Sequence, residues 1–159
     1  MRTTIRRANI NDMQRVLELI QELAEYEKEP NEVEVSVEDL EEDGFGSYPK
    51  FTCFVAEIED RVEGIAIVYP RYSTWKGSVL HLEDLIVSQS KRGLGLGSLL
   101  LNEVVTYGYE NRVKRISWEV LDWNDSAIKF YEKKGAKVLR DWDVVQLNEE
   151  GIKSYISNL

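Results

Sequence analysis

Apolar residues recur along this chain with two periods, and each segment declares its element by the period it keeps. A short β candidate, residues 3 to 7, precedes a stretch in which Met13, Val16, Leu17, Ile20, Leu23 and Ala24 follow the 3.6-residue period; this predicts an amphipathic helix starting near Asn11 and ending at Glu29-Pro30-Asn31. Ser36 and Asp39 form a capping-box-like pair, so a second short helix is expected from Ser36 to near Gly44. Residues 51 to 58 and 62 to 69 are rich in Val, Ile and aromatics and read as an antiparallel hairpin around Glu59-Asp60-Arg61, with Pro70 ending its second strand or placing a bulge there. A polar link over 73 to 78 leads to a strand over 79 to 87. A helix follows over about 95 to 110, carrying Leu99, Leu100, Val104 and Val105. The remainder predicts a strand over 116 to 121, a helix from Asp125 to Lys134 ended by Gly135, strands over 137 to 139 and 142 to 147, and a polar tail helix.

At 159 residues the chain suits one well-buried core and one domain over 1 to 159. Its 43% apolar and 31% charged residues are those of a soluble globular protein, with no apolar run near the roughly 20 residues that span a bilayer. The start, MRTTIRRANINDM, is basic without an apolar stretch behind it, so a secretory signal is not expected and a cytoplasmic location is. A net charge of -9 disfavours a long nucleic-acid footprint and suits a cationic small molecule. The single cysteine, Cys53, sits in the apolar segment FTCFVAEI and reads as a core thiol. The single histidine, His81, has no partners at metal-ligand spacing, so no metal is expected.

Chemistry enters with KRGLGLGS, Lys91 to Ser98, placed between the apolar run Leu85, Ile86, Val87 and a helix. Glycines at alternate positions let backbone approach a ligand closely, and the free N–H groups of the helix start favour an anion. Spacing excludes two common phosphate loops: no lysine follows the glycines as a mononucleotide loop requires, and Ser98 and Leu100 stand where a dinucleotide fingerprint needs glycine. What remains is Arg-x-x-Gly-x-Gly, Arg92, Gly95 and Gly97.

That loop resembles the coenzyme A pyrophosphate loop of the GNAT acetyltransferase superfamily. A second motif, at the distance that family places it, has Asn124, Ala127, Phe130, Tyr131, Gly135 and Ala136 in order. The resemblance covers most of the chain and is nearest to the diamine acetyltransferases, the spermidine/spermine and thialysine group, through ELAEYEK, EDGFG, YSTWKG, LED, RGLGLGS and LDWN. It implies an α/β GNAT fold, a mixed and mostly antiparallel splayed central sheet flanked by helices. It also implies acetyl-CoA as cosubstrate and a homodimer. Cofactor binding is implied for Leu85, Ile86, Val87, Arg92, Gly93, Leu94, Gly95, Leu96, Gly97, Ser98, Asn124, Ala127 and Tyr131, and amine binding for Tyr26, Glu27, Trp75, Glu83 and Asp84.

Acetyl transfer from a thioester to an amine needs a deprotonated amine, a polarised carbonyl and a proton for the departing thiolate. A phenol, with an ordinary pKa near ~10, can protonate a thiolate whose thiol has one near ~8.5 without losing its own proton beforehand, and Tyr131 is the candidate. Glu83 and Asp84 are adjacent carboxylates in an apolar strand, where alternation would send them to opposite faces. By resemblance Glu83 is the base, acting through a water, while a backbone N–H in Leu85 to Val87 fills the oxyanion role. Aromatic faces and carboxylates suit an alkylammonium chain. Ser73 stands where spermidine/spermine-type members carry aspartate and matches the thialysine type. The segment before Trp142 is shorter, leaving its acidic contribution open between Asp141 and Asp143. Both departures point away from long polycations. The competing readings are a GNAT enzyme acting on a protein N-terminus or lysine, an aminoglycoside or an amino acid, and a CoA-binding regulatory module without turnover.

Overall fold

Apolar alternation becomes a sheet wherever two runs find each other. The computed structural model describes residues 1–159, and the chain divides into two units, Met1–Glu119 and Val120–Leu159. In the first, β1 (Thr3–Arg7), β2 (Thr52–Ile58), β3 (Arg61–Ser73), β4 (Gly77–Val87) and β5 (Ile116–Ser117) form one sheet in that order. The first four are antiparallel. β5 runs parallel to β4 and pairs only at Leu80↔Ile116 and His81↔Ser117, so β4 opens away from its neighbour beyond His81. The result is the mixed, mostly antiparallel sheet that the motifs implied.

Helices cover both faces. On one, α1 (Met13–Tyr26) and α2 (Val37–Phe45) lay Met13, Val16, Leu19 and Leu40 against Cys53, Val55, Ile65, Ile67 and Ile86. On the other lies α3 (Leu96–Glu110), whose Tyr107 meets Phe54 edge-on at 5.4 Å. Leu100 of α3 approaches so closely that a Cβ on Gly64 would sit 3.0 Å from its Cδ1, which is why this strand position carries no side chain. Fully burying each of Met13, Val16 and Leu19 stabilises the fold by about 1.5–3 kcal/mol.

The differences from the sequence expectations are local. α1 begins at Met13, behind a 3-10 turn over Ile10–Asp12, and its innermost residues are Met13, Val16 and Leu19, with Leu17, Ile20 and Leu23 flanking them. The Ser36 capping box forms in full, its hydroxyl accepting from Asp39 N and the Asp39 carboxylate from Ser36 N. β3 runs through Pro70 to Ser73: the ladder with β2 stops at Val68, and beyond it β3 is an edge strand that tolerates a residue lacking an N–H. The stretch expected as a polar link is the turn of a β3–β4 hairpin, closed by Ser73 Oγ, which accepts from the N–H groups of Trp75 (3.2 Å) and Lys76 (3.1 Å).

In the second unit, α4 (Asp125–Lys133) is followed by Gly135 at φ +93°, and α5 (Glu149–Ser157) is capped by Asn148, whose side chain accepts from Gly151 N at 2.8 Å. The strands expected over 137 to 139 and 142 to 147 do not form, and the one expected over 116 to 121 shortens to Ile116–Ser117. β-prone residues become a strand only when a neighbour takes up their N–H and C=O groups. Here Trp142, Val144, Val145 and Leu147 remain exposed.

Candidate active site

The two ladders of β3 each carry one irregularity, and a glutamate sits at both. Between β2 and β3, Ala56 pairs with Gly64 and Glu57 with Val62, which leaves Glu63 as the extra residue. Between β3 and β4, Ile67 pairs with Asp84 and Val68 with Leu82, which leaves Glu83. Their surroundings differ. Glu63 is 5% exposed and neutralised by Arg15 at 3.1 Å and Arg61 at 3.4 Å, while the Ser88 hydroxyl donates to it at 2.6 Å, so it pins the start of the glycine loop. Glu83 has no cation beside it other than what His81 can supply.

The bulge at Glu83 overturns the expectation that Glu83 and Asp84 face opposite ways. Glu83 accepts from the Tyr69 hydroxyl at 2.9 Å, and Tyr69 lies two residues from Ile67, the register partner of Asp84, so both carboxylates leave the sheet on the α1 face. Glu27, just past the end of α1, joins them. Burial pushes the Asp84 carboxyl up to about 7, with the charges of Glu83 and Glu27 adding to it, and burial also raises Glu27. Three carboxylates thus share a partly desolvated place that a cation would relieve.

Sequence reasoning missed the residues that hold Glu83. Tyr69 and His81 are register partners on β3 and β4, their rings 5.2 Å apart. His81 Nε2 lies 3.6 Å from Glu83 Oε2, and its Nδ1 is 3.0 Å from Ser117 Oγ on β5. Burial first, and the hydrogen bond to Glu83 second, push the Tyr69 phenol up to about 12. Only the strand register reveals this set, since the residues are 12 to 48 positions apart in the chain.

Beyond β4 the chain makes a 3-10 turn over Gln89–Lys91 and enters the glycine loop. Arg92 Nε donates to Val87 O at 3.1 Å and its guanidinium lies 5.0 Å from the ring centroid of Tyr26, which brings two expected site residues together. Gly93 and Gly95 have φ of +80° and +84°, and a Cβ on either would meet no protein atom within 4 Å. Gly95 is the N-cap of α3 and offers no side chain to its first turn, so the N–H groups of Leu96, Gly97 and Ser98 are left for a ligand. Leu94 is exposed and Leu96 is buried under the loop. An open, donor-lined cradle at the start of a 15-residue helix fits a pyrophosphate. Leu85, Ile86 and Val87 pair with β3 alone, beyond the end of the β4–β5 ladder.

Trp75 is not brought to this cluster within the chain. It lies 80% exposed in the β3–β4 turn, at the other end of β4 and about 20 Å along the strand from Glu83. Ser73 in the same turn also accepts from Arg115 at 2.9 Å. Cys53 is buried and its thiol is pushed by burial up to about 12, which makes it a core thiol and no nucleophile. In the second unit Asn124 caps α4, its side chain accepting from Ala127 N at 3.4 Å; this is the local reason for an Asn-x-x-Ala spacing. Tyr131 is half-buried on α4, edge-on to Phe130 at 5.4 Å.

A sheet that opens at β4, a donor-lined cradle at its end and carboxylates beside it are the parts that an acyltransferase working from a CoA thioester needs. Residues 14–136 match the family described as Acetyltransferase (GNAT), and the chain belongs to that family: it is an N-acetyltransferase, of a family that uses acetyl-CoA. It is 37% identical over 160 residues to a thialysine N-epsilon-acetyltransferase of Bos taurus, covering 94% of each chain. It is 38% identical over 145 residues to a protein of the same name from Sus scrofa, covering 86% of this chain and 85% of that one. Among solved structures, an integron cassette protein from the mobile metagenome of V. cholerae shares the fold with a TM-score of 0.80, at 24% identity and 98% coverage of both chains.

Proposed function

We propose that this enzyme acetylates a primary amine of a short diamine or a lysine-like amino acid such as thialysine, as one catalytic domain over residues 1–159. The observation that carries the reading is the carboxylate set Glu27, Glu83 and Asp84, in which half-buried Asp84 is raised to about 7 by desolvation first and by the charges of the other two second. An alkylammonium entering there supplies a cation. The similarity to thialysine acetyltransferases supports the same acceptor class.

Acetyl-CoA, when bound, supplies the thioester acyl group and the thiol leaving group. Arg92 and the backbone of Gly93 to Ser98 hold its pyrophosphate, with Leu94 and Leu96 flanking, Leu85 to Val87 line its arm, and Asn124 and Ala127 contribute from the start of α4. Glu83 takes the ammonium proton, through a water, so that the amine nitrogen carries a free lone pair. A backbone N–H of Leu85 to Val87 polarises the carbonyl. Tyr131 gives its Oη proton to the departing sulfur. Tyr26, Glu27, Trp75 and Asp84 bind the amine, and no metal takes part. Trp75, remote from Glu83 along its own β4, and the exposed, strand-prone residues 142–147 both support a homodimer. We assign the enzyme to the cytoplasm; no helix is long and apolar enough to cross a membrane.

The test is thiol release from acetyl-CoA across an amine panel: thialysine, lysine, ornithine, short diamines, spermidine, spermine, an aminoglycoside and an N-terminal peptide. Highest kcat/KM is expected for thialysine or a short diamine. A preference for the peptide, the aminoglycoside or spermine refutes the acceptor class, and no release with any amine favours a CoA-binding module.

A further inference from the structure

We propose that Tyr69, His81 and Ser117 form a three-residue brace that positions Glu83, with one carboxylate oxygen held and the other free to accept a proton. The inference rests on the reading of Glu83 as the base. As the extra residue of a bulge, Glu83 has no cross-strand partner to fix it, so its orientation must come from side chains. Both contacts fall on one oxygen: the Tyr69 hydroxyl donates to Oε2 at 2.9 Å, and His81 Nε2 stands 3.6 Å from the same atom. Oε1 is thereby the oxygen presented to a water or an amine.

The brace is ordered from behind. Ser117 and His81 are register partners in the two-residue β4–β5 ladder, and Ser117 Oγ lies 3.0 Å from Nδ1. With the hydroxyl donating to Nδ1, the ring hydrogen sits on Nε2 and faces the carboxylate. His81 is buried against the Tyr69 ring, so it cannot swing away. The Tyr69 hydrogen bond to the ionised form of the carboxylate favours that form, and His81 Nε2 at 3.6 Å adds an electrostatic contact, not a second hydrogen bond. The other charged groups in reach divide in sign: Asp84 on β4 and Glu27 past α1 disfavour a further negative charge, and Arg71 on β3 and Glu119 after β5 flank Tyr69 with opposite effects.

The experiment is the pH dependence of kcat/KM for thialysine at saturating acetyl-CoA, compared among variants so that the ionisation of the substrate is common to all. Tyr69→Phe keeps the ring and removes the donor. Its acidic limb should move to higher pH by about one unit, with KM for acetyl-CoA within about twofold of wild type. Ser117→Ala should move the limb in the same direction and Ser117→Thr, which keeps the hydroxyl, should restore it; this pair decides the matter if Tyr69→Phe does not fold. A brace that only supports the fold would lower activity at every pH alike, so limbs that superimpose on wild type in Tyr69→Phe, or Ala and Thr variants of Ser117 that behave identically, overturn the inference. Glu83→Gln separates the two readings. If it keeps wild-type turnover, the base assignment falls and the brace with it; if it loses turnover while the other limbs stay in place, the brace alone falls.

Discussion

Replacing Asp84 with asparagine should make this enzyme more stable, and more so as the pH rises. The folded Asp84 carboxyl lies at about 7, against an ordinary value of 3.8, because burial and the charges of Glu83 and Glu27 penalise its ionised form. Between about pH 4 and 7 the folded chain therefore holds a proton that the unfolded chain has already released. Stability falls as pH rises through that window and levels off above it. The full displacement corresponds to about 4 kcal/mol. Asparagine is nearly isosteric and uncharged, so the advantage of Asp84→Asn over wild type should grow by about 2–3 kcal/mol between pH 5 and pH 8.5, or about 5–10 °C in Tm for a chain of this size. Urea denaturation or calorimetry at the two pH values reads it directly. The same variant should bind thialysine more weakly. A stability difference that is flat with pH would refute the argument, because it would mean that Asp84 ionises in the folded state as readily as in water.

Gly95→Ala should cost about 1 kcal/mol of stability, because φ is positive there, yet weaken acetyl-CoA binding more than about tenfold, because a Cβ fills space that only a ligand would use; urea denaturation measures the first and calorimetric titration the second. Tyr131→Phe should lower kcat by about 10²–10⁴-fold with acetyl-CoA affinity within a few-fold of wild type, and normal turnover would return Tyr131 to a packing role. From the sequence, Ser73→Asp should move preference toward long polyamines; the structure revises this, since Arg115 and the N–H groups of Trp75 and Lys76 would take up the new carboxylate locally, so the ratio of spermine to diamine acetylation should change by less than about threefold.

What could be read from the sequence was whatever depends on neighbours along the chain. Ser36 and Asp39 cap α2, and Gly95 and Gly135 take left-handed conformations at helix boundaries, because those demands are satisfied within three or four residues. Register was invisible. Ser73-Thr74-Trp75-Lys76 lacks the Asn-Gly type of signal, so the β3–β4 hairpin it closes could not be foreseen, nor could the pairing of Tyr69 with His81 that depends on it. A one-residue bulge leaves no mark on composition, so strict alternation separated Glu83 from Asp84 where the folded strand unites them. Residues 142–147 erred in the other direction: their side chains suit a strand, and what they lack is a partner, which is a property of the fold and not of the segment.

The two bulges, at Glu63 of β3 and Glu83 of β4, carry a consequence for how this enzyme can change. Wherever the ladder is regular, a residue answers to the residue opposite it, and the core limits what it can be. At an inserted position that obligation lapses. Glu63 shows one use of the freedom, a buried charge spent on locking two arginines and a serine beneath the phosphate loop. Glu83 shows the other, an exposed carboxylate, our proposed base, hosted by a strand that does not need it for its own integrity. The sheet is thus indifferent to the identity of the residue at position 83, the base in our proposal, and selection can exchange that residue for another acid, an amide or a hydroxyl without first having to rescue the fold.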